Sequence, residues 1–159
     1  MLDIQEKKLQ EIIPQINSLA KEPDFMAETL FGQKSIRPLA ENLFSHAKSP
    51  VLSMGIRGNK DEKYNAFWWH ISEQILNKGI GGKYLFAENN TEYYQRHKKL
   101  KNIHTKYLSS LTPAALDIID NHVLIMTYGK TELLCAHIVS QEIADSFRSY
   151  FESLWKIAK

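Results

Sequence analysis

Leu116-Asp117-Ile118-Ile119-Asp120-Asn121-His122-Val123-Leu124-Ile125-Met126-Thr127 reads as two apolar runs hinged on Asp120-Asn121. That pair suits a tight hairpin turn, because Asp and Asn tolerate left-handed backbone and bond their own main chain. Gly129-Lys130 offers a second turn and Glu132–Val139 a third strand, so this part of the chain is an antiparallel meander. Upstream the pattern changes. Strands at Phe25–Phe31, Val51–Ile56, Lys83–Ala87 and Ile103–Leu108 alternate with helical segments. Ser35 reads as the cap of a helix carrying Ile36, Leu39, Leu43 and Ala47, with Pro38 in its first turn. Tyr64, Phe67, Trp68, Ile71 and Ile75 share one face of a helix over Asp61–Asn77, stopped by Gly79. Asn89-Asn90-Thr91 starts a polar helix, and Ser140 caps a closing helix that buries Ile143, Phe147, Phe151, Leu154 and Ala158. Alternating strands and helices followed by a meander and a closing helix describe an α/β domain over residues 24–159. Its sheet is mixed and flanked by helices.

Residues 1–20 carry a different signal. Leu2, Gln5, Leu9, Ile12, Ile16 and Leu19 are spaced 3, 4, 3, 4 and 3 apart, the a/d seam of a two-stranded coiled coil. Lysines and glutamates fill most of the rest, and Pro14 predicts a kink or restart near Ile13. So short a seam needs something to cover it. It can pack on its own domain or pair with a second copy, and the heptad spacing favours the homodimer.

Bulk properties narrow the function. The 159 residues suffice for one domain with a proper core. A net charge of +2 gives no global field for nucleic acid, so any such contact must come from a local patch. The one cysteine, Cys135, lies in an apolar run and reads as a reduced core residue in a cytoplasmic protein. No stretch is apolar enough to span a membrane, and the acidic start is unlike a signal peptide. The histidines show no pair at metal-ligand spacing, and nothing calls for a cofactor or metal.

Several segments together resemble one family. The heptad helix with its internal proline is similar to the linker of TrmB-like transcriptional regulators. Phe31-Gly32-Gln33-Lys34-Ser35-Ile36-Arg37 resembles that family's strand, glycine and helix entry. Phe67-Trp68 through Asn77-Lys78-Gly79-Ile80 looks like its second helix, and Glu142 through Lys156 like its closing helix. The resemblance implies a phospholipase-D-like sensor domain that binds a small-molecule effector, a sugar in the best-known members. It also implies a homodimer that reads DNA only through a winged helix ahead of the linker. Just Met1 precedes Leu2 here, so the expectation is a sensor without its DNA-reading domain, either cut at the linker or standing alone.

Active phospholipase-D-like enzymes use His-x-Lys-x-x-x-x-Asp, in which the histidine attacks phosphorus and the lysine holds the phosphate. The matching stretch here is Pro113 to Asp120, with Pro113 and Ala115 where histidine and lysine belong. His104-Thr105-Lys106 has Leu111 at the aspartate position. These departures lead to the expectation of no catalytic residues and no enzyme. A phospholipase-D-like phosphodiesterase, degenerate in its motif, is the alternative.

The effector site is expected at Arg57 and Asn59, in the loop after a strand where open α/β sheets bind ligands. Trp69 is expected to join them, lying ~160° round its helix from Ile71. His104 and Lys106 belong to a basic run from Arg96 to Lys106 that suits an anionic ligand, although such a run also suits a solvated face.

Overall fold

The computed structural model describes residues 2–19, 24–59, 61–109, 113–128 and 130–159. Among the described residues twelve elements follow one another. They are α1 (Leu2–Leu19), β1 (Met26–Phe31), α2 (Gln33–Ser45), β2 (Val51–Ile56), α3 (Glu62–Asn77), β3 (Gly82–Phe86), α4 (Glu92–His97), β4 (Ile103–Tyr107), β5 (Ala115–Ile119), β6 (His122–Tyr128), β7 (Leu133–Val139) and α5 (Gln141–Ile157). The strands form one mixed sheet in the order β1-β7-β6-β5-β2-β3-β4. β2, β3 and β4 run parallel, and β5 joins β2 antiparallel to begin the meander.

Side chains alternate across each strand, so β2 feeds both faces. Val51 packs with Ile36, Phe44, Ile71 and Ile75 beneath α2 and α3. Leu52 and Met54 pack with Phe151 and Ala144 of α5 on the opposite face. Tyr84, Phe86, Tyr94 and Ile103 make a third cluster under α4.

The hairpin forms where its turn residues predict. Asp120 takes a φ of 50°, and its carboxylate accepts from Lys48 N (3.1 Å), Ser49 N (3.1 Å) and Ser49 Oγ (2.7 Å). Ser140 caps α5 by accepting from Ile143 N. Thr91 caps α4, which stops at His97. α2 starts earlier than expected. Gly32, with a φ of 77°, turns the chain straight out of β1, and Ser35 sits inside the first turn instead of capping it.

α1 runs through Pro14 as one helix, without the expected restart near Ile13. Ile4, Leu9, Ile12 and Ile13 are all exposed, at 45% or more. Gln5 is exposed too, and the side chains of Leu2, Ile16 and Leu19, the other seam positions, lie outside the described ones. Among the described residues no helix is long and apolar enough to cross a membrane.

Candidate ligand-binding cavity

Ser53 is the register partner of Asp117 across β2 and β5, and of Tyr84 across β2 and β3. Directly paired residues point to the same face, so these three side chains stand in a row beneath α3. Trp68 and Ser72 from α3, with Tyr93 and His97 from α4, close over the row. Together with Arg57 and Tyr64 they line a cavity of about 60 Å³. Gly55 helps shape it. Its φ of 74° bulges β2 after Met54, and a side chain there would collide with the Ala114 carbonyl.

The polar groups in this cavity are unusual for a core. Asp117 is only 6% exposed and accepts from the Ser53 hydroxyl. It forms no ion pair with any described residue. Burial raises its pKa from 3.8 to about 6, and the Ser53 hydrogen bond pulls it only partly back. His97 is 1% exposed, boxed by the rings of Trp69, Tyr84, Phe86 and Tyr93. Desolvation lowers its pKa to about 4, outweighing the bond between Nδ1 and the Tyr93 carbonyl (2.8 Å) and reinforced by Arg96. Neutral His97 therefore donates from Nδ1 to that carbonyl and turns a lone pair on Nε2 toward Ser72 Oγ, 3.3 Å away. Ser72 Oγ is also 3.3 Å from the Tyr84 hydroxyl. Burial raises the pKa of Tyr64, Tyr84 and Tyr93, which stay protonated as neutral donors. A carboxylate near its titration point, a neutral imidazole and several hydroxyls thus share one largely buried cavity between the sheet and helices α3 and α4. Such an arrangement can bind a polar ligand or move a proton.

The residues singled out in sequence fall around this cavity unevenly. Arg57 lines it, with Nε 3.8 Å from Glu88 Oε1. Asn59 lies in the adjoining loop, where Asn59 N donates to Asn65 Oδ1 (2.8 Å) and Asn59 O accepts from Asn65 Nδ2 (2.8 Å). Trp69 packs α3 on α4, under the Arg96 guanidinium (4.1 Å) and edge-on to His97. His104 and Lys106 stand on the opposite face of edge strand β4. Lys106 Nζ donates to Trp155 O (2.9 Å) and Ala158 O (3.3 Å), satisfying the end of α5. His104 is exposed, beside a groove it shares with Lys83, Lys98, Lys101 and Trp155. The five therefore do not converge.

Asp117, Ser53, Ser72, Tyr84 and His97 were missed. Asp117 carried one signal, an acid inside an apolar strand run, and His97 another, its i+4 spacing from Tyr93. Sequence spacing also hid a histidine pair. β6 and β7 bring His122 Nδ1 within 3.0 Å of His137 Nε2, and His137 Nδ1 is 2.8 Å from Glu28 Oε1. The two rings are nearly parallel, 11° apart. This chain of bonds ties β1 to β6. Among the described residues no group of three or more His, Cys, Asp or Glu could hold a metal. Cys135 is buried, and its thiol is pushed up to about 12 by desolvation, the mark of an inert core thiol.

No protein-family model and no curated protein matches the chain. Solved structures do. NucT from Helicobacter pylori is 13% identical with a TM-score of 0.67, over 84% of this chain and 98% of that one. A phospholipase D family member, Nuc from Salmonella typhimurium, is 15% identical with a TM-score of 0.61, over 85% of this chain and 97% of that one. TrmBL2, an archaeal chromatin protein, is 14% identical with a TM-score of 0.60. The match takes in 99% of this chain but 62% of TrmBL2. Phosphatidylserine synthase from Haemophilus influenzae also shares the architecture, with a TM-score of 0.62 over 36% of its length. The expectation that the chain is not an enzyme is corrected by these likenesses, because phosphatidylserine synthase and a phospholipase D family member share its fold. That expectation rested on one missing His-x-Lys motif, and the cavity beside the motif's position holds other groups that titrate. At these identities the likenesses establish the fold, which is phospholipase-D-like.

Proposed function

We propose that the chain is the ligand-sensing part of a TrmB-like regulator, with its ligand in the cavity over Asp117, Ser53 and Tyr84. The observation that carries this is Asp117, a buried carboxylate with one neutral hydrogen-bond partner on the wall of a cavity. Burying a charge without a partner costs several kcal/mol, a cost that folds retain where a ligand uses the group. The likeness to TrmBL2 over nearly the whole chain supports the regulator reading. Exposed Leu9 and Ile12 on α1 support a homodimer through that helix. DNA reading then belongs to a winged helix outside these residues.

The test is thermal unfolding against a panel of small amines, polyols and carboxylates, run in parallel on Ala115→Phe, which fills the cavity from β5. A compound at ~100 times its Kd stabilises by about 2.7 kcal/mol, or roughly 5–10 °C for a domain of this size. The variant should lose that shift. A panel in which every shift is the same in parent and variant removes the cavity from consideration.

A second reading has its own support. Asp117 and neutral His97 could exchange a proton with a substrate in the same cavity, in a fold shared with a phospholipase D family member. Turnover of bis(p-nitrophenyl) phosphate that follows the protein through purification and disappears in Asp117→Asn would establish it. Turnover unaffected by that substitution would not.

A further inference from the structure

We propose that the cavity takes a small organic ammonium ion, its positive charge held by the Asp117 carboxylate inside a ring of Tyr64, Trp68, Tyr84 and Tyr93. The inference rests on the ligand-sensing reading and names the ligand class for that site.

Charge gives the first reason. Among the described residues Asp117 brings a negative charge into the cavity with only the Ser53 hydroxyl to answer it. Arg57, the one permanent cation lining the space among the described residues, has Glu88 within 3.8 Å, so that pair is close to neutral. His97 stays uncharged at neutral pH. The interior is therefore net negative. An anionic ligand would meet Asp117 at short range, where like charges in a poorly solvated space repel strongly. A cation would replace the missing counter-charge.

The lining gives the second. Four of the cavity's side chains are Tyr or Trp rings, whose π faces attract a cation lying within about 6 Å. Three of them, Tyr64, Tyr84 and Tyr93, lie near enough to Asp117 to feel its charge. A carboxylate surrounded by aromatic rings is the arrangement that recognises alkylated or primary ammonium groups, and tyrosine hydroxyls can accept from N–H donors.

Size gives the third. The cavity, of about 60 Å³, has room for a compact ion such as methylammonium or tetramethylammonium.

The experiment is isothermal titration of the full chain with tetramethylammonium chloride and with methylammonium chloride. Sodium chloride matches the ionic strength, and tert-butanol serves as the neutral isostere. Asp117→Asn keeps the shape and the Ser53 bond while removing the charge. Saturable binding of either ammonium ion, weakened about tenfold or more in Asp117→Asn and in Ala115→Phe, is the expected result. tert-Butanol should not bind measurably. Equal binding of tert-butanol, or ammonium binding that Asp117→Asn leaves unchanged, overturns the proposal. So does the absence of ammonium binding at tens of millimolar, which would leave the cavity to water. If Asp117→Asn does not fold, the tert-butanol and Ala115→Phe comparisons still decide. A sugar or anion that binds the parent and is blocked by Ala115→Phe would keep the sensing site and refute the ammonium class. If Ala115→Phe blocks no compound of any class, both readings fail.

Discussion

Asp117→Asn should make the protein more stable, and the gain should depend on pH. In the folded chain burial holds the Asp117 pKa at about 6, against 3.8 for the exposed side chain. Folding therefore takes up a proton between those two values, and stability falls as pH rises across them. Well below pH 3.8 the group is protonated in both states and costs nothing extra. Above about pH 6 the native state carries the full penalty, at ~1.4 kcal/mol per pH unit an upper estimate of about 3 kcal/mol. Asparagine has the same shape and no charge to bury, and its amide can still bond Ser53. The parent and the variant share every other titrating group, so their difference isolates this one. The assay is urea unfolding of both proteins at pH 4, 6 and 8. The variant should gain little at pH 4 and as much as ~3 kcal/mol at pH 8, or roughly 6–12 °C in Tm. A variant less stable than the parent at pH 8, or a gain independent of pH, would refute the premise that Asp117 is buried as an uncompensated charge.

Three other outcomes are open to measurement. His97 has a pKa lowered to about 4, so the native state resists a proton that the unfolded chain accepts near 6.5. Its contribution to stability is present above about pH 6.5 and lost as pH falls toward 4. His97→Phe should flatten this acid-side loss in a pH series of urea midpoints, and an unchanged slope would count against the buried aromatic box. Ile12→Asp on exposed α1 should shift a dimer toward monomer by roughly tenfold or more in Kd, since burying one such side chain is worth ~1.5–3 kcal/mol. Sedimentation of both proteins reads it, and an unaltered dimer would free α1 from that role. Finally, the basic groove of Lys83, Lys98, Lys101 and His104 should hold duplex DNA weakly and without sequence preference. Binding should fall steeply between about 50 and 200 mM salt, and a preference that survives the higher salt would contradict this.

Local chemistry was legible and long-range chemistry was not. Asp120-Asn121 announced its hairpin because the turn conformation belongs to those residue types, and Ser140 announced α5 because capping acts within three residues. Ser35 misled because Gly32, three residues earlier, could turn the chain by itself with a positive φ. The cavity is a different matter. Ser53 and Asp117 are 64 positions apart, and only the β2–β5 register sets them face to face. His97 sat in a run of cations, where composition suggests solvent, yet one helical turn points it inward onto Tyr84 and Phe86. Arg57 stands out in the sequence because the end of a parallel strand is a recurrent ligand position, and its side chain lines the cavity. His104 and Lys106 were grouped with it by charge, although strand alternation sends them to the α5 face.

The central claim is that a ligand occupies the space above Asp117. A crystal structure of the chain, grown with whichever compound raises its Tm most, tests this directly. The account predicts density for that compound between Ser53, Tyr84 and Trp68, in contact with an Asp117 oxygen, and none in the same place for Ala115→Phe. Density at another surface, with nothing but water between α3 and the sheet, would contradict it.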